Sequence, residues 1–341
     1  MYSFKNDYSE GAHPRILKCL TDSNLEQTDG YGLDPYCEKA QNLIKERIHR
    51  EDADVHFLVG GTQTNLTAIS AFLRSHEAAI AAHTGHVLVH ETGAIEATGH
   101  KVISVESKDG KLRPSQVQLV VDNHTDEHMV KPKLVYISNS TEIGTIYSKK
   151  DIEELREVCD KNHLYLYIDG ARLGSALMAE NNDLTLDYMA KLCDAFYIGG
   201  TKGGALLGEA LVICNPCLKE DFRYHIKQKG ALLAKGRILG IQFSELFKDD
   251  LYFKLAKHSN HMAKVLKDGI IEAGFQFMID SPSNQVFPIF PKTLIAKIDE
   301  KYSYTLWGDV DDKCSVIRLV TSWATEEEKV REFIEDIKTW K

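Results

Sequence analysis

Short aliphatic and β-branched runs alternate with amphipathic stretches as far as about residue 213. That alternation is the signature of α/β architecture, in which strands and crossover helices follow one another. The pattern predicts strands at 55–59, 87–89, 102–105, 134–137, 164–168, 195–198 and 210–213. It also predicts a helix after Gly60-Gly61-Thr62, with Leu66, Ile69 and Leu73 on one face, and an amphipathic crossover helix over 151–161. Beyond about residue 240 the rhythm changes to a long helical stretch over 236–267 and strand-like runs at 274–277, 285–290 and 315–321. A last helix over 325–340 carries its acidic residues early, where the helix dipole favours them. The expected architecture is a large α/β domain over 1–245 and a smaller C-terminal α+β domain over 246–341.

Composition narrows the class. The 341 residues carry 41 Lys+Arg against 50 Asp+Glu, a net charge of −9, which argues against a dedicated nucleic-acid binder. No apolar run approaches the roughly 20 residues a membrane span needs, and the opening Met1 to Asp7 lacks the apolar core of a signal peptide. Seven scattered cysteines show no disulfide-framework spacing, and Cys214 and Cys217 read as small residues in a turn. A cytoplasmic protein with no membrane or nucleic-acid partner is expected.

Three groups fall at the carboxyl ends of predicted strands, where open α/β sheets bind ligands. Gly60-Gly61-Thr62 opens a helix and reads either as a phosphate cradle or as a plain turn and cap. Asp169, in Asp169-Gly170-Ala171-Arg172, caps the next helix or enters a site. Lys202 is enclosed by Gly199, Gly200, Gly203 and Gly204, and is not part of a Walker loop, because Thr201 precedes it and Gly203 follows. Together they are the parts a pyridoxal phosphate site requires: an amine for the aldehyde, a carboxylate for the ring nitrogen and a helix terminus for the phosphate. His83, His86, His90 and His100 form a further cluster, read as a catalytic or stacking histidine or as surface residues rather than as a metal site.

On these residues the chain resembles the L-threonine aldolases, fold-type-I pyridoxal phosphate enzymes of the β-eliminating lyase family. The resemblance runs through Phe4 to Asp7, Tyr31-Gly32-Leu33-Asp34-Pro35, Gly61 to Asn65, His86 to Glu91, Asp169 to Leu173, Lys202 and Ile317 to Trp323. It implies an aspartate aminotransferase-like fold with a mostly parallel sheet in the large domain and an N-terminal arm, about 1–12, near the active site. It implies that pyridoxal 5'-phosphate is held by Lys202, Asp169, Arg172, stacking His86, Gly61 and Thr62. Arg172 and Arg318 would hold the substrate carboxylate, with Asn6 where the family usually has serine. Tyr31 and Lys235 would reach in from a neighbouring subunit of a homotetramer whose sites are shared across a dimer interface. The implied reaction is reversible cleavage of β-hydroxy-α-amino acids such as threonine and allo-threonine to glycine and an aldehyde, with no metal. His86 and His128 remain alternatives for the base, His128 aligning with a histidine the family places near the substrate hydroxyl. The segment Asn139 to Gly144 departs from the family's usual pattern, which leaves substrate preference open. β-Elimination, racemisation or transamination on the same scaffold, or a catalytically silent binding protein, are the competing readings.

Overall fold

Seven of the short apolar runs assemble into one sheet. The structure, a computed structural model, describes residues 1–340. The strands are β1 (Asp54–Leu58), β2 (Glu77–Ala82), β3 (Val102–Val105), β4 (Lys131–Ser138), β5 (Tyr165–Asp169), β6 (Ala195–Gly199) and β7 (Glu209–Ile213). Their order across the sheet is β1-β7-β6-β5-β4-β2-β3. β7 runs antiparallel to both its neighbours, and every other pairing is parallel. The parallel strands therefore bring their carboxyl ends to one edge, with β5 at the centre.

The period of two along each strand divides the core. Ile137, Ile168 and Ile198 face one hydrophobic cluster, while Tyr136, Tyr167 and Tyr197 face another on the opposite side. Three tyrosines on one face of three adjacent strands lie directly below Asp169, which shares that face with Tyr167. Helices cover the sheet, among them α1 (Gly61–Phe72), α2 (His86–Val89), α3 (Lys149–Lys161) and α4 (Leu173–Leu177). α3 starts at Ser148 through a reciprocal cap with Asp151, as its sequence dictates.

The run at 87–89, expected as a strand, is instead the short helix α2, and the strand before it is the alanine-rich β2. β-branched residues favour strands only where a neighbour offers a ladder, and 87–89 lies beyond the turn at the sheet edge. The helical stretch over 236–267 is two helices, α5 (Arg237–Phe247) and α6 (Leu251–Glu272), separated where Asp249 and Asp250 take left-handed φ values of 55° and 56°. Two left-handed residues in succession cannot continue a right-handed helix.

α6 joins the two cores. Its first turns pack Leu251 and Leu255 into the large cluster, and its later turns pack Met262, Leu266 and Ile270 into a C-terminal one. That second core is closed by α7 (Glu327–Trp340) and an antiparallel sheet of β8 (Gln276–Phe277), β9 (Gln285–Val286), β10 (Pro288–Pro291), β11 (Thr305–Asp309) and β12 (Cys314–Val320). The chain also begins there: Tyr2–Ser3 pairs with Tyr302–Ser303, and Phe4 is fully buried in the C-terminal cluster. The residues that follow Phe4 then cross to the edge where the parallel strands end. No helix among the described residues is long and apolar enough to cross a membrane.

Candidate active site

Asp169 and Lys202 sit on two glycine-rich loops whose backbones touch. A Cβ on Gly170 would lie 1.8 Å from the Tyr197 carbonyl oxygen, and one on Gly199 would lie 2.3 Å from that of Ala171. Only glycine permits this approach, and the Gly199 N–H donates to the Gly170 carbonyl at 2.9 Å. The contact explains why both segments need glycine, and it fixes the carboxylate and the amine relative to each other.

Asp169 is buried and accepts four hydrogen bonds. Oδ2 takes Tyr136 Oη at 2.5 Å and Asn65 Nδ2 at 2.9 Å, and Oδ1 takes Tyr197 Oη at 2.5 Å and the Ala171 N–H at 3.0 Å. Burial by itself would raise its pKa, but the charge of His86 and the bonds from Tyr136, Tyr197 and Asn65 outweigh it and hold the carboxyl below its usual range. The group is a carboxylate. Asn65 carries the network onward, donating to Glu91 Oε1 at 2.7 Å, and the same oxygen lies 2.8 Å from His86 Nδ1. With the Glu91 carboxylate as acceptor, Nδ1 holds the proton and Nε2 is left available. Burial lowers the His86 pKa, yet the bond to Glu91 and the charges of Glu142 and Asp169 raise it overall.

The Lys202 side chain is half-buried beside Arg172, and loss of solvent first, then the Arg172 charge, lower its pKa. A lysine depressed in this way has more of the neutral amine that attacks an aldehyde. Below it, Glu209 accepts from the Gly200 N–H at 3.0 Å and Thr201 Oγ1 at 2.9 Å, which anchors the turn that presents Lys202. Burial pushes the Glu209 carboxyl up to about 8.

Arg172 is bound in a fork by Asp7, with Nε to Oδ2 at 2.8 Å and Nη2 to Oδ1 at 3.1 Å, and Asn284 Nδ2 donates to the same carboxylate at 2.9 Å. Both members of the pair are buried. Removing one partner of such a pair leaves an uncompensated charge, so Asp7→Ala is expected to destabilise the protein by about 3 kcal/mol or more. The midpoint of urea unfolding reads this, and adding Arg172→Met to Asp7→Ala is expected to recover part of the loss. An unchanged midpoint in Asp7→Ala would mean that the pair does not hold the loop.

Arg318, on β12, reaches the same place from the C-terminal unit. It stacks over Trp307 at 5.2 Å, donates to Thr305 Oγ1 at 3.4 Å, and has no carboxylate partner among the described residues. Its Nε is buried without a hydrogen-bond partner, and burial and the Arg172 charge lower its pKa. A second guanidinium this close, with unused donors, fits a planar anion. The N-terminus of α1 also faces the site. Gly60 caps it without a side chain, and a Cβ on Gly61 would lie 3.0 Å from Tyr197 Oη, so the first turn stands beside the Asp169 network with Thr62 exposed.

Asn6 lies at the site edge next to Asp7, but its Oδ1 already accepts from the Tyr8 N–H and Ser9 Oγ at 3.0 Å each. Tyr31 and Lys235 are exposed neighbours on another part of the surface, the Tyr31 N–H donating to the Ala234 carbonyl at 3.2 Å. His128 does not join this cluster within its own chain. It is exposed in the loop that leads into the amino end of β4, whereas the site lies past the carboxyl end. Eight strand residues separate the two ends by about 26 Å. The structure adds Asp7, Asn65, Glu91, Tyr136, Tyr197 and Glu142, to which motif reading assigned no role. Asn65 and Glu91 stood inside quoted motifs, so their spacing was the available signal, and the tyrosines show it only through strand period.

The beta-eliminating lyase family matches residues 22–291. A low specificity L-threonine aldolase of a Pseudomonas species is 30% identical over 98% of this chain and 96% of its own. The solved structure of Leishmania major threonine aldolase is 51% identical, covers 99% of both chains and superposes with a TM-score of 0.99.

The chain belongs to the beta-eliminating lyase family.

Its fold is the fold-type-I, aspartate aminotransferase-like one. The Thermus thermophilus aspartate aminotransferase matches at a TM-score of 0.74 over all of this chain and 92% of the other, at 14% identity. The cofactor of this lyase-family chain is pyridoxal 5'-phosphate, and the residues present fit it. Asp169 is a buried carboxylate suited to the ring nitrogen, Lys202 is a half-buried amine of lowered pKa, and α1 offers free N–H groups to a phosphate.

Proposed function

We propose that this chain is an aldolase that reversibly cleaves L-threonine, L-allo-threonine and related β-hydroxy-α-amino acids to glycine and an aldehyde. The observation that supports this most is a pair of guanidinium groups, Arg172 beside the Lys202 amine and Arg318 close enough to feel the Arg172 charge, the second without a carboxylate partner. Arg172 and Arg318 come from different units of the fold and would grip one carboxylate from two sides. That grip would orient the substrate and so select which bond to Cα breaks. Pyridoxal phosphate, when bound, supplies an electron sink for the pair left behind when a bond to Cα breaks. Asp169 would hold a proton at the ring nitrogen, and the tyrosines and Asn65 keep its carboxylate ionised and in place. Glu91 fixes the His86 ring, so that His86 can stack on the cofactor and keep Nε2 free as a proton acceptor. The first turn of α1, at Gly61 and Thr62, would bind the phosphate.

Tyr31 and Lys235 complete a neighbouring subunit's site in this reading, because both are exposed and neither meets the Lys202 cluster of its own chain. The assembly is a homo-oligomer, a tetramer on the family pattern. The seven free thiols support a cytoplasmic location.

A substrate panel tests the reading. L-threonine, L-allo-threonine, L-serine and phenylserine are each incubated with holoenzyme, and glycine and aldehyde are measured. Equal yields of glycine and aldehyde are expected. Pyruvate and ammonia from L-serine or L-threonine, without glycine, would replace the aldolase with a β-eliminating enzyme.

A further inference from the structure

Besides Glu209, which is committed to the turn that presents Lys202, four carboxylates stand near the cationic cluster, and three of these are committed. Asp169 accepts four hydrogen bonds, Asp7 is bound by Arg172 and Asn284, and Glu91 is taken by His86 and Asn65. The fourth, Glu142, makes no hydrogen bond or ion pair among the described residues, although only 8% of it is exposed. Its negative charge acts on His86, His90, Arg172, Lys202 and Arg318, which arrive on four separate segments.

The backbone holds Glu142 there rigidly. It is the second residue of a tight turn in which the Gly144 N–H donates to the Thr141 carbonyl at 2.9 Å and the Thr141 N–H to the Thr145 carbonyl at 2.8 Å. Gly144 has φ +80°, open to glycine at little cost, and a Cβ there would lie 2.3 Å from Ser281 Oγ. Three bonds pin the turn from outside: Thr145 Oγ1 to the Asp109 carbonyl at 2.7 Å, Ser281 Oγ to that of Gly144 at 3.0 Å, and Gln285 Nε2 to that of Thr141 at 3.2 Å. Such bracing fixes a carboxylate that has no partner of its own. The Glu142 side chain lines a cavity with Gly85, Tyr136 and Ser138, beside His86 and the Asp169 network, where a donor can arrive with the substrate.

The substrate supplies one donor that nothing else in the cluster claims. Its carboxylate suits the two arginines and its amine belongs to the cofactor, which leaves the β-hydroxyl. We infer that Glu142 accepts the β-hydroxyl of the substrate and takes its proton as the Cα–Cβ bond breaks. The O–H pair becomes the second bond of the aldehyde carbonyl, the Cα–Cβ pair stays with Cα, and a proton returned to Cα completes glycine. This rests on the aldolase reading and assigns its hydroxyl subsite to the segment where the chain departs from its family's usual pattern.

Glu142→Gln holoenzyme tests it, because the amide keeps the size and can accept a hydrogen bond but cannot take the proton. Cleavage of L-threonine is expected to fall about 100-fold in kcat, the scale of a lost general base. Glycine has no hydroxyl, so its affinity, read from the change in cofactor absorbance on titration, is expected to stay at the wild-type value, as is the thermal midpoint. Glu142→Asp is expected to recover part of the rate. Undiminished cleavage in Glu142→Gln would overturn the assignment, and so would an equal loss of glycine affinity, which would place Glu142 behind the arginines instead. A wild-type enzyme that releases no glycine from any β-hydroxy amino acid would instead remove the aldolase reading itself.

Discussion

Lys202→Ala is expected to abolish turnover, lowering kcat by more than roughly 10³-fold, because the amine is needed both to hold the cofactor and to move protons. The variant is also expected to lack the visible absorption of cofactor joined to the chain, and borohydride should no longer fix the cofactor to the protein. The physical case rests on the interlocked loops: the Gly170–Gly199 contact fixes where the amine sits, and burial beside Arg172 keeps more of it neutral. Truncation removes a half-buried charge that Arg172 repels, so the fold should survive, with a thermal midpoint of the apoprotein no lower than wild type. Loss of activity would then report chemistry rather than unfolding. Near-normal turnover, or cofactor still fixed by borohydride, would move the role to another lysine.

The parts of the fold legible in sequence were those whose signal is local. β4, β5, β6 and β7 are runs of aliphatic and aromatic residues that no amphipathic helix would use. β2 was not legible as a strand, because Glu77–Ala82 is mostly alanine and owes its conformation to parallel partners on both sides, β3 and β4. Residues 87–89 fail in the opposite sense, since their β-branched side chains lie past the last ladder position and close a helical turn, the His90 N–H donating to the His86 carbonyl at 2.9 Å.

The site divides in the same way. Asp169, Arg172 and Lys202 were readable because each lies at a strand end in a glycine-rich segment. The partners that set their charge were not, because Asn65 to Asp169, Asp7 to Arg172 and Asp7 to Asn284 join residues more than a hundred positions apart. Position relative to the sheet also separates, within one chain, residues that sequence leaves equal. His86 and His128 were equivalent as imidazoles, but only His86 follows the carboxyl end of a strand.

Asp169→Asn is expected to lower kcat by about 10³-fold, the scale of removing a preorganised electrostatic partner from a water-poor site. The carboxylate matters through its charge, since a negative group at the ring nitrogen keeps that nitrogen protonated and the ring electron-poor. Asparagine keeps the shape but offers one acceptor oxygen where four donors converge, so two of Tyr136, Tyr197, Asn65 and the Ala171 N–H would face an amide NH₂. A tyrosine hydroxyl can rotate and accept from that NH₂, whereas the Ala171 N–H cannot, and the net cost to stability is expected at about 1–3 kcal/mol. Activity and stability therefore need separating. Reconstitution with a cofactor methylated at the ring nitrogen supplies the missing positive charge without repairing the hydrogen bonds. Activity in Asp169→Asn is expected to rise at least roughly tenfold, about 1.4 kcal/mol of barrier, with no gain in the unfolding midpoint of the apoprotein. If the methylated cofactor restores nothing, the loss comes from the disturbed tyrosine network, and Asp169 is a structural acceptor rather than the partner of the ring.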